Sequence, residues 1–166
     1  MNLIASLLPP TNILLDLDVG SKKRVFDQLG LLFENHHGIA RSQVFDCLFA
    51  REKLGSTGLG EGVAIPHGRA KGLRDTLAAF VRLKTPLPFD APDGQPVSLI
   101  FALLVPESAN EAHLQILSEL AQMFCDAAFR EKLMQENDPG IIHQLFVNWQ
   151  PNDASDLDTD PDSSTL

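Results

Sequence analysis

The stretch VSLIFALLV, residues 97–105, constrains the fold of this chain most strongly. It is nearly all apolar yet far short of the roughly 20 residues a membrane-spanning helix needs. It lacks the alternation of a half-exposed strand, so it reads as a central strand covered on both faces. Such a strand requires helices on two sides of its sheet, and the rest of the chain supplies them. Ser21 can cap a helix whose Val25, Phe26, Leu29, Leu32 and Phe33 make one apolar face, ended by Gly38. Ser42 opens a second helix, with Val44, Phe45, Leu48 and Phe49 inward, running to about residue 54.

From residue 110, Leu114, Leu117, Leu120, Ala121 and Phe124 recur at helical spacing, and a shorter helix follows over 129–135. Asp138 and Pro139 supply the cap and first-turn proline of a last helix through about residue 147. Further strands are expected within NILLDLDV (12–19), at 63–65 and at 77–83, after a short leading turn or helix at 3–8. A connector broken by Pro86, Pro88, Pro92 and Pro96 separates the last of these from the central strand. The expected fold is α/β, a three-layer α/β/α sandwich with a small mixed sheet flanked by helices. At 166 residues the chain has room for one such domain, expected over 1–150. The polar, acidic residues 151–166 are expected to be disordered.

Charge narrows the function. The formal net charge of −9 argues against a nucleic-acid binder, which needs a basic face. That charge is unevenly spread. The last sixteen residues carry five Asp and no Lys or Arg, while seven of the thirteen basic residues fall between positions 51 and 84. An acidic protein with a local basic patch points to an anionic ligand. The two cysteines, Cys47 and Cys125, form no disulfide framework, CxxC pair or zinc set, and each lies in an apolar stretch where a buried, reduced thiol is expected. The N-terminus lacks the basic start and long apolar run of a signal peptide. A soluble, cytoplasmic protein without membrane insertion is the expectation.

Six of the eleven glycines lie between positions 55 and 72, around GSTGLGEGVAIPHG. Glycines let backbone N–H groups approach an anion closely, although a surface hairpin would use them equally well. Neither GxxxxGK[ST] nor GxGxxG spacing is present, so this is no ordinary nucleotide loop. Pro66 and Gly68 bracket His67 at the mouth of the 63–65 strand. An imidazole suits phosphoryl acceptance because one ring nitrogen is nucleophilic near neutral pH while the other is oriented by a hydrogen bond. A guanidinium best neutralises the transferred oxygens through its planar fork of donors. Arg51, at the end of the second helix, is placed to do so if the glycine loop folds back.

The run REKLGSTGLGEGVAIPHGR, residues 51–69, resembles the phosphorylation-site motif of the mannitol/fructose-type IIA proteins of the bacterial phosphoenolpyruvate-dependent phosphotransferase system. The resemblance extends over about 3–147 and includes the connector TPLPFDAPDGQPVSLIFALLVP. It implies a phosphotransferase acting as a phosphohistidine carrier, with an EIIA type-2 domain at 1–150 and no cofactor. By the same resemblance His67 receives and passes on the phosphoryl group, Arg51 is the active-site arginine, and His113, in EAHLQIL, is the second histidine near the first. Ser56, Thr57 and Gly68 are candidate phosphate contacts, the two hydroxyl residues serving equally well as turn residues. Arg69, Lys71 and Arg74 form a candidate partner-binding rim, with Glu61 facing solvent. His36, His37 and His143 are expected to be solvated.

GSTGLGEGVAIPHGR together with DVGSKKRVFDQLGLLFEN looks most like the nitrogen-related branch. That likeness implies an HPr-like histidine phosphocarrier (NPr) as donor, and regulation of targets such as potassium transporters or sensor kinases through phosphorylation state. The alternative within the family is a sugar-specific component passing phosphate to a IIB domain for fructose or mannitol uptake. A metal-dependent hydrolase using His67 and His113 is the alternative from another class, and no HxxxH, HxH or convergent carboxylate set supports it.

Overall fold

The structure, a computed structural model, describes residues 2–109 and 111–151. A turn and a short 3-10 segment (Pro10–Asn12) lead into β1 (Ile13–Leu17), followed by α1 (Lys22–His37) and α2 (Arg41–Lys53). Three short strands come next: β2 (Gly58–Gly60), β3 (Val63–Ala64) and β4 (His67–Ala70). Two long strands, β5 (Leu77–Leu87) and β6 (Val97–Pro106), precede α3 (Glu111–Cys125), α4 (Ala127–Gln135) and α5 (Pro139–Asn148). The acidic segment from residue 152 onward lies outside the described residues.

The sheet is mixed, in the order β1-β5-β6-β3-β2, and β4 also pairs with β6. The apolar run of residues 97–105 is its centre. It meets β5 antiparallel on one side and β3 and β4 parallel on the other. The pairs Val63↔Leu99 and His67↔Leu103 share one offset, so β3 and β4 form one line beside β6, interrupted at Ile65 and Pro66. The Pro66 carbonyl still accepts from Leu103 N at 2.9 Å.

Successive residues of β6 point to opposite sides, as strand pleating dictates. Leu99, Phe101, Leu103 and Val105 enter a core with α3, α4 and α5, while Ile100, Ala102 and Leu104 enter a second core with α1 and α2. This is the expected three-layer arrangement. Ser21 caps α1 by accepting from Arg24 N at 3.2 Å, and Gly38 ends it in the left-handed region. Asp126 and Asp138 cap α4 and α5. Among the described residues no helix is long and apolar enough to cross a membrane.

Several expectations are corrected. Ser42 does not open α2; the helix starts at Arg41, whose N–H is taken by Glu34 Oε2 at 2.9 Å. The strand expected at 77–83 continues through Pro86 to Leu87, because a register shift releases Pro86 from the ladder it cannot donate to. On α3, Leu114 is exposed, and Ile116 and Met123 take interior positions beside Leu120 and Phe124. Cys125 is exposed and Cys47 half-buried. His37, in the last turn of α1, is not simply solvated, since its Nε2 meets the side chain of buried Asn12 at 2.9 Å.

Candidate functional site

His67 opens β4, immediately after the interruption at Ile65 and Pro66. Its Nδ1 lies 2.8 Å from the carbonyl oxygen of Ile65. A carbonyl only accepts, so Nδ1 carries the proton and the neutral ring presents an unprotonated Nε2. Burial is the largest influence on this imidazole and holds its pKa below the ordinary 6.5. The bond to Ile65 opposes that shift, the Arg51 charge adds to it, and the charge of Glu52 opposes it. Near neutrality this favours an uncharged His67 ring with one orientation and an available Nε2 lone pair.

Gly68 brings the second group into place. A Cβ there would stand 2.7 Å from the carbonyl oxygen of Cys47 and 2.9 Å from its sulfur. Only glycine lets α2 lie this close to β4, and Arg51 follows Cys47 by one helical turn. The Arg51 guanidinium donates to the Gly55 carbonyl through Nη1 at 2.8 Å.

His113, in the first turns of α3, completes the cluster, its ring centroid 5.5 Å from that of His67 and tilted by 51°. Burial lowers its pKa first, and the charges of His67 and Arg69 lower it further. His113 Nδ1 is buried with no hydrogen-bond partner among the described residues. Arg69 donates from Nη1 to the carbonyls of Glu107, at 2.9 Å, and Ala109. It thereby ties β4 to the segment that leads into α3.

These residues surround an open pocket of about 440 Å³, with Leu54 and Val105 as apolar wall and no carboxylate in the lining. The adjacent Glu52 is buried and faces elsewhere. It binds Lys22 Nζ at 2.9 Å and accepts from Thr57 Oγ1 at 2.6 Å and Thr57 N at 3.1 Å. Among the described residues no group of three or more His, Cys, Asp or Glu is placed to hold a metal ion.

The structure thus brings His67, His113, Arg51, Gly68 and Arg69 together and leaves Ser56 and Thr57 outside the pocket lining. The Thr57 hydroxyl is engaged with Glu52, and the Ser56 hydroxyl donates to the Phe89 carbonyl. The glycine-rich stretch is not draped over the site. It forms the β2–β3 hairpin, whose turn places Gly60, Glu61 and Gly62 at positive φ. Glu61 faces solvent and pairs with Arg130 at 3.6 Å. Lys71 and Arg69 continue into a neighbouring groove with Asp46 and Glu107, and the exposed Arg74 stands farther along, in a groove with His37.

Sequence reasoning missed Glu52, whose charge acts on His67 and whose hydrogen bonds set the start of the glycine stretch. A glutamate in the last turn of a helix looks like any solvated surface residue. Only its partners Lys22 and Thr57, one distant and one local in sequence, reveal its role.

The family profile described as phosphoenolpyruvate-dependent sugar phosphotransferase system, EIIA 2, matches residues 6–149. The nitrogen regulatory protein of Pseudomonas aeruginosa is 41% identical over 148 residues, covering 89% of this chain and 96% of that protein. The crystal structure of the nitrogen regulatory protein IIA-Ntr from Neisseria meningitidis superimposes with a TM-score of 0.82 at 53% identity, covering 87% of this chain and 99% of that one. The fructose-specific EIIABC component of Bacillus subtilis is 31% identical over 141 residues, which is 84% of this chain but 22% of that protein.

Proposed function

The chain belongs to the EIIA 2 family of the phosphoenolpyruvate-dependent sugar phosphotransferase system, and from that premise we propose that His67 Nε2 is its phosphoryl acceptor. The donor in this reading is a phosphorylated HPr-like histidine phosphocarrier, NPr in the nitrogen-related branch. The Nε2 lone pair forms a new P–N bond as the donor's P–N bond breaks, and the electron pair of that bond returns to the donor ring. The Nδ1–H stays on the Ile65 carbonyl, which stabilises the positive charge the His67 ring acquires. Arg51 neutralises the phosphoryl oxygens as they cross. His113, with Nδ1 unpartnered, supplies a further polar contact, and Gly68 leaves the approach to His67 open. With Ser56 and Thr57 engaged elsewhere, the oxygens fall to Arg51 and His113.

The observation that carries this reading is the 2.8 Å bond from His67 Nδ1 to Ile65, which leaves Nε2 free beside a guanidinium. Incubated with phosphoenolpyruvate, the first enzyme of the system and the carrier, the chain should gain one acid-labile phosphoryl group. A His67→Ala variant that labels equally would overturn the assignment.

The likeness to nitrogen regulatory proteins favours a cytoplasmic regulator acting through phosphorylation state. Targets such as potassium transporters or sensor kinases would read the two added charges on the basic rim of Arg69, Lys71 and Arg74. The alternative, service to a fructose or mannitol permease, requires rapid transfer from His67 to a sugar-specific IIB domain. Slow or absent transfer to such domains is the result expected here.

A further inference from the structure

Among the described residues Glu52 is the one carboxylate that is buried, alongside Asn12, Thr57 and Arg82 as the other buried polar side chains. A carboxylate taken out of water needs a cation and hydrogen bonds to hold its charge. Glu52 has both. Its Oε2 takes Lys22 Nζ at 2.9 Å and the Thr57 N–H at 3.1 Å, while Oε1 accepts from the Thr57 hydroxyl at 2.6 Å. Lys22 belongs to SKKRVFDQ and Thr57 to GSTGLG, so one side chain joins the two stretches that carry the nitrogen-branch likeness. Arg51 precedes it on α2, and successive helix residues project about 100° apart. Glu52 therefore turns inward while Arg51 faces the pocket.

A short line of hydrogen bonds runs from Glu52 to His67. Thr57, held by Glu52, accepts at its carbonyl from Ile65 N at 2.9 Å. The Ile65 carbonyl in turn accepts from His67 Nδ1 at 2.8 Å. Between Glu52 and Thr57 the chain turns through Leu54, which is 84% exposed, and Gly55, where a Cβ would meet nothing within 4 Å. This turn packs on little, yet its Gly55 carbonyl is what Arg51 Nη1 grips at 2.8 Å. Its place is kept by bonds at its ends. Ser56 anchors it to the Phe89 carbonyl, and Glu52 ties Thr57 back to α2.

We propose that Glu52 is a positioning residue for phosphoryl transfer, clamping the turn at residues 54–57 so that the Arg51 guanidinium stays aligned with His67 Nε2. The proposal rests on the reading of His67 as the acceptor. Glu52 does not touch the phosphoryl group and acts through Arg51. A guanidinium displaced by about an ångström loses much of its hold on the transferring oxygens. The clamp needs hydrogen bonds more than charge. A glutamine can turn its carbonyl oxygen toward Lys22 and the Thr57 N–H, while its amide donates to the Thr57 hydroxyl oxygen. Asp90, at 3.8 Å, would remain as a counter-charge for Lys22.

The test is single-turnover transfer from saturating phosphorylated carrier, corrected to the folded fraction of each full-length variant. Glu52→Ala should slow transfer about tenfold, and Glu52→Gln should restore at least about half of the native rate. In an Arg51→Ala background, Glu52→Ala should change the rate by less than about twofold, because the group it positions is gone. Thr57→Val removes one bond of the clamp at nearly constant shape and should slow transfer about threefold, which carries the test if Glu52→Ala does not fold. Without any donor, NMR relaxation of the Arg51 Nε–H should show a more mobile side chain in Glu52→Ala or Thr57→Val than in Glu52→Gln. Glu52→Gln as slow as Glu52→Ala would refute the proposal in favour of a charge acting on His67. Equal slowing with and without Arg51 would refute it in favour of a general effect on the fold. Native rates in every Glu52 and Thr57 variant, with His67→Ala unlabelled, would sink the clamp and leave the acceptor standing. Labelling of His67→Ala would overturn both.

Discussion

Arg82, on β5, is 3% exposed and surrounded by acceptors: Asp16 at 3.2 Å, the Leu133 carbonyl at 2.9 Å and Asn137 Oδ1 at 2.8 Å, with the Glu136 carbonyl as well. Arg51, at the end of α2, is half-buried and has one hydrogen bond among the described residues, to the Gly55 carbonyl. The same side chain serves two ends. Where every donor is met by the fold, the guanidinium joins β5 to the α4–α5 connection and has nothing left for a ligand. Where most donors are unmet and a pocket lies beside them, the cation is available to an anion. His37 and His67 repeat the contrast, one with Nε2 against Asn12 and the other with Nδ1 on a carbonyl and Nε2 free of any partner among the described residues.

The sharpest way to break this contrast is to exchange its members. Arg51→Ala should slow phosphoryl transfer by about 10²–10³-fold, the scale of one lost charge-stabilising donor group. Its urea-unfolding free energy should stay within about 0.5 kcal/mol of the native chain. Arg51→Lys should recover only part of the rate, since an ammonium lacks the planar fork. Arg82→Met should do the reverse. It strands buried carbonyls and costs about 3 kcal/mol in the same denaturation, with transfer by the folded fraction unchanged. A slow but fully stable Arg82→Met protein would erase the distinction.

A second comparison sets the interior of the site against its turn. Gly68→Ala drives a methyl group into the backbone of α2 and should cost about 1–3 kcal/mol. It should also slow transfer, because α2 carries Arg51. Gly20, where a Cβ would meet nothing within 4 Å, is the control, and Gly20→Ala should leave both measurements near the native values.

The smallest effect is that of pH. The pKa values of His37, His67 and His113 all lie below the ordinary histidine value, burial being the largest cause each time. The unfolded chain therefore binds protons at a higher pH than the folded one. The stability these neutral rings contribute is complete above about pH 6.5 and is lost as pH falls through the folded values. The urea midpoint should drop between pH 7.5 and 5.5, and His67→Gln should make that drop smaller. The loss of transfer to His67 in acid should set in at a lower pH than for an ordinary imidazole, because burial holds this ring below the usual 6.5. A rate that falls already above that pH would mean that the imidazole is not depressed.

Much of this was legible from local pattern. The apolar run of β6, the Ser21 and Gly38 ends of α1, and the Asp138–Pro139 opening of α5 follow from rules that act within a few residues. The His67 stretch was legible because its neighbours form a long, specific motif. Leu114 was misplaced because helical spacing alone cannot choose between two adjacent apolar stripes, and the core of α5 and β6 chose the one containing Ile116. For Ser56, Thr57 and the glycines around them the sequence left phosphate contact and turn equally open, because hairpin turns and anion loops use the same residue types.

The sequence by itself determined the layers, the helix ends and the chemistry available at positions 51, 67 and 113, since backbone propensity and side-chain type are local properties. Tertiary structure alone decided which of these groups meet. The closeness of α2 to β4 over Gly68 and the meeting of Arg51, His67 and His113 at one pocket depend on residues far apart in the chain. So does the burial of Glu52 between Lys22 and Thr57. Whether a charged side chain is satisfied or left available is a matter of what the fold places around it, and no short stretch of sequence carries that information.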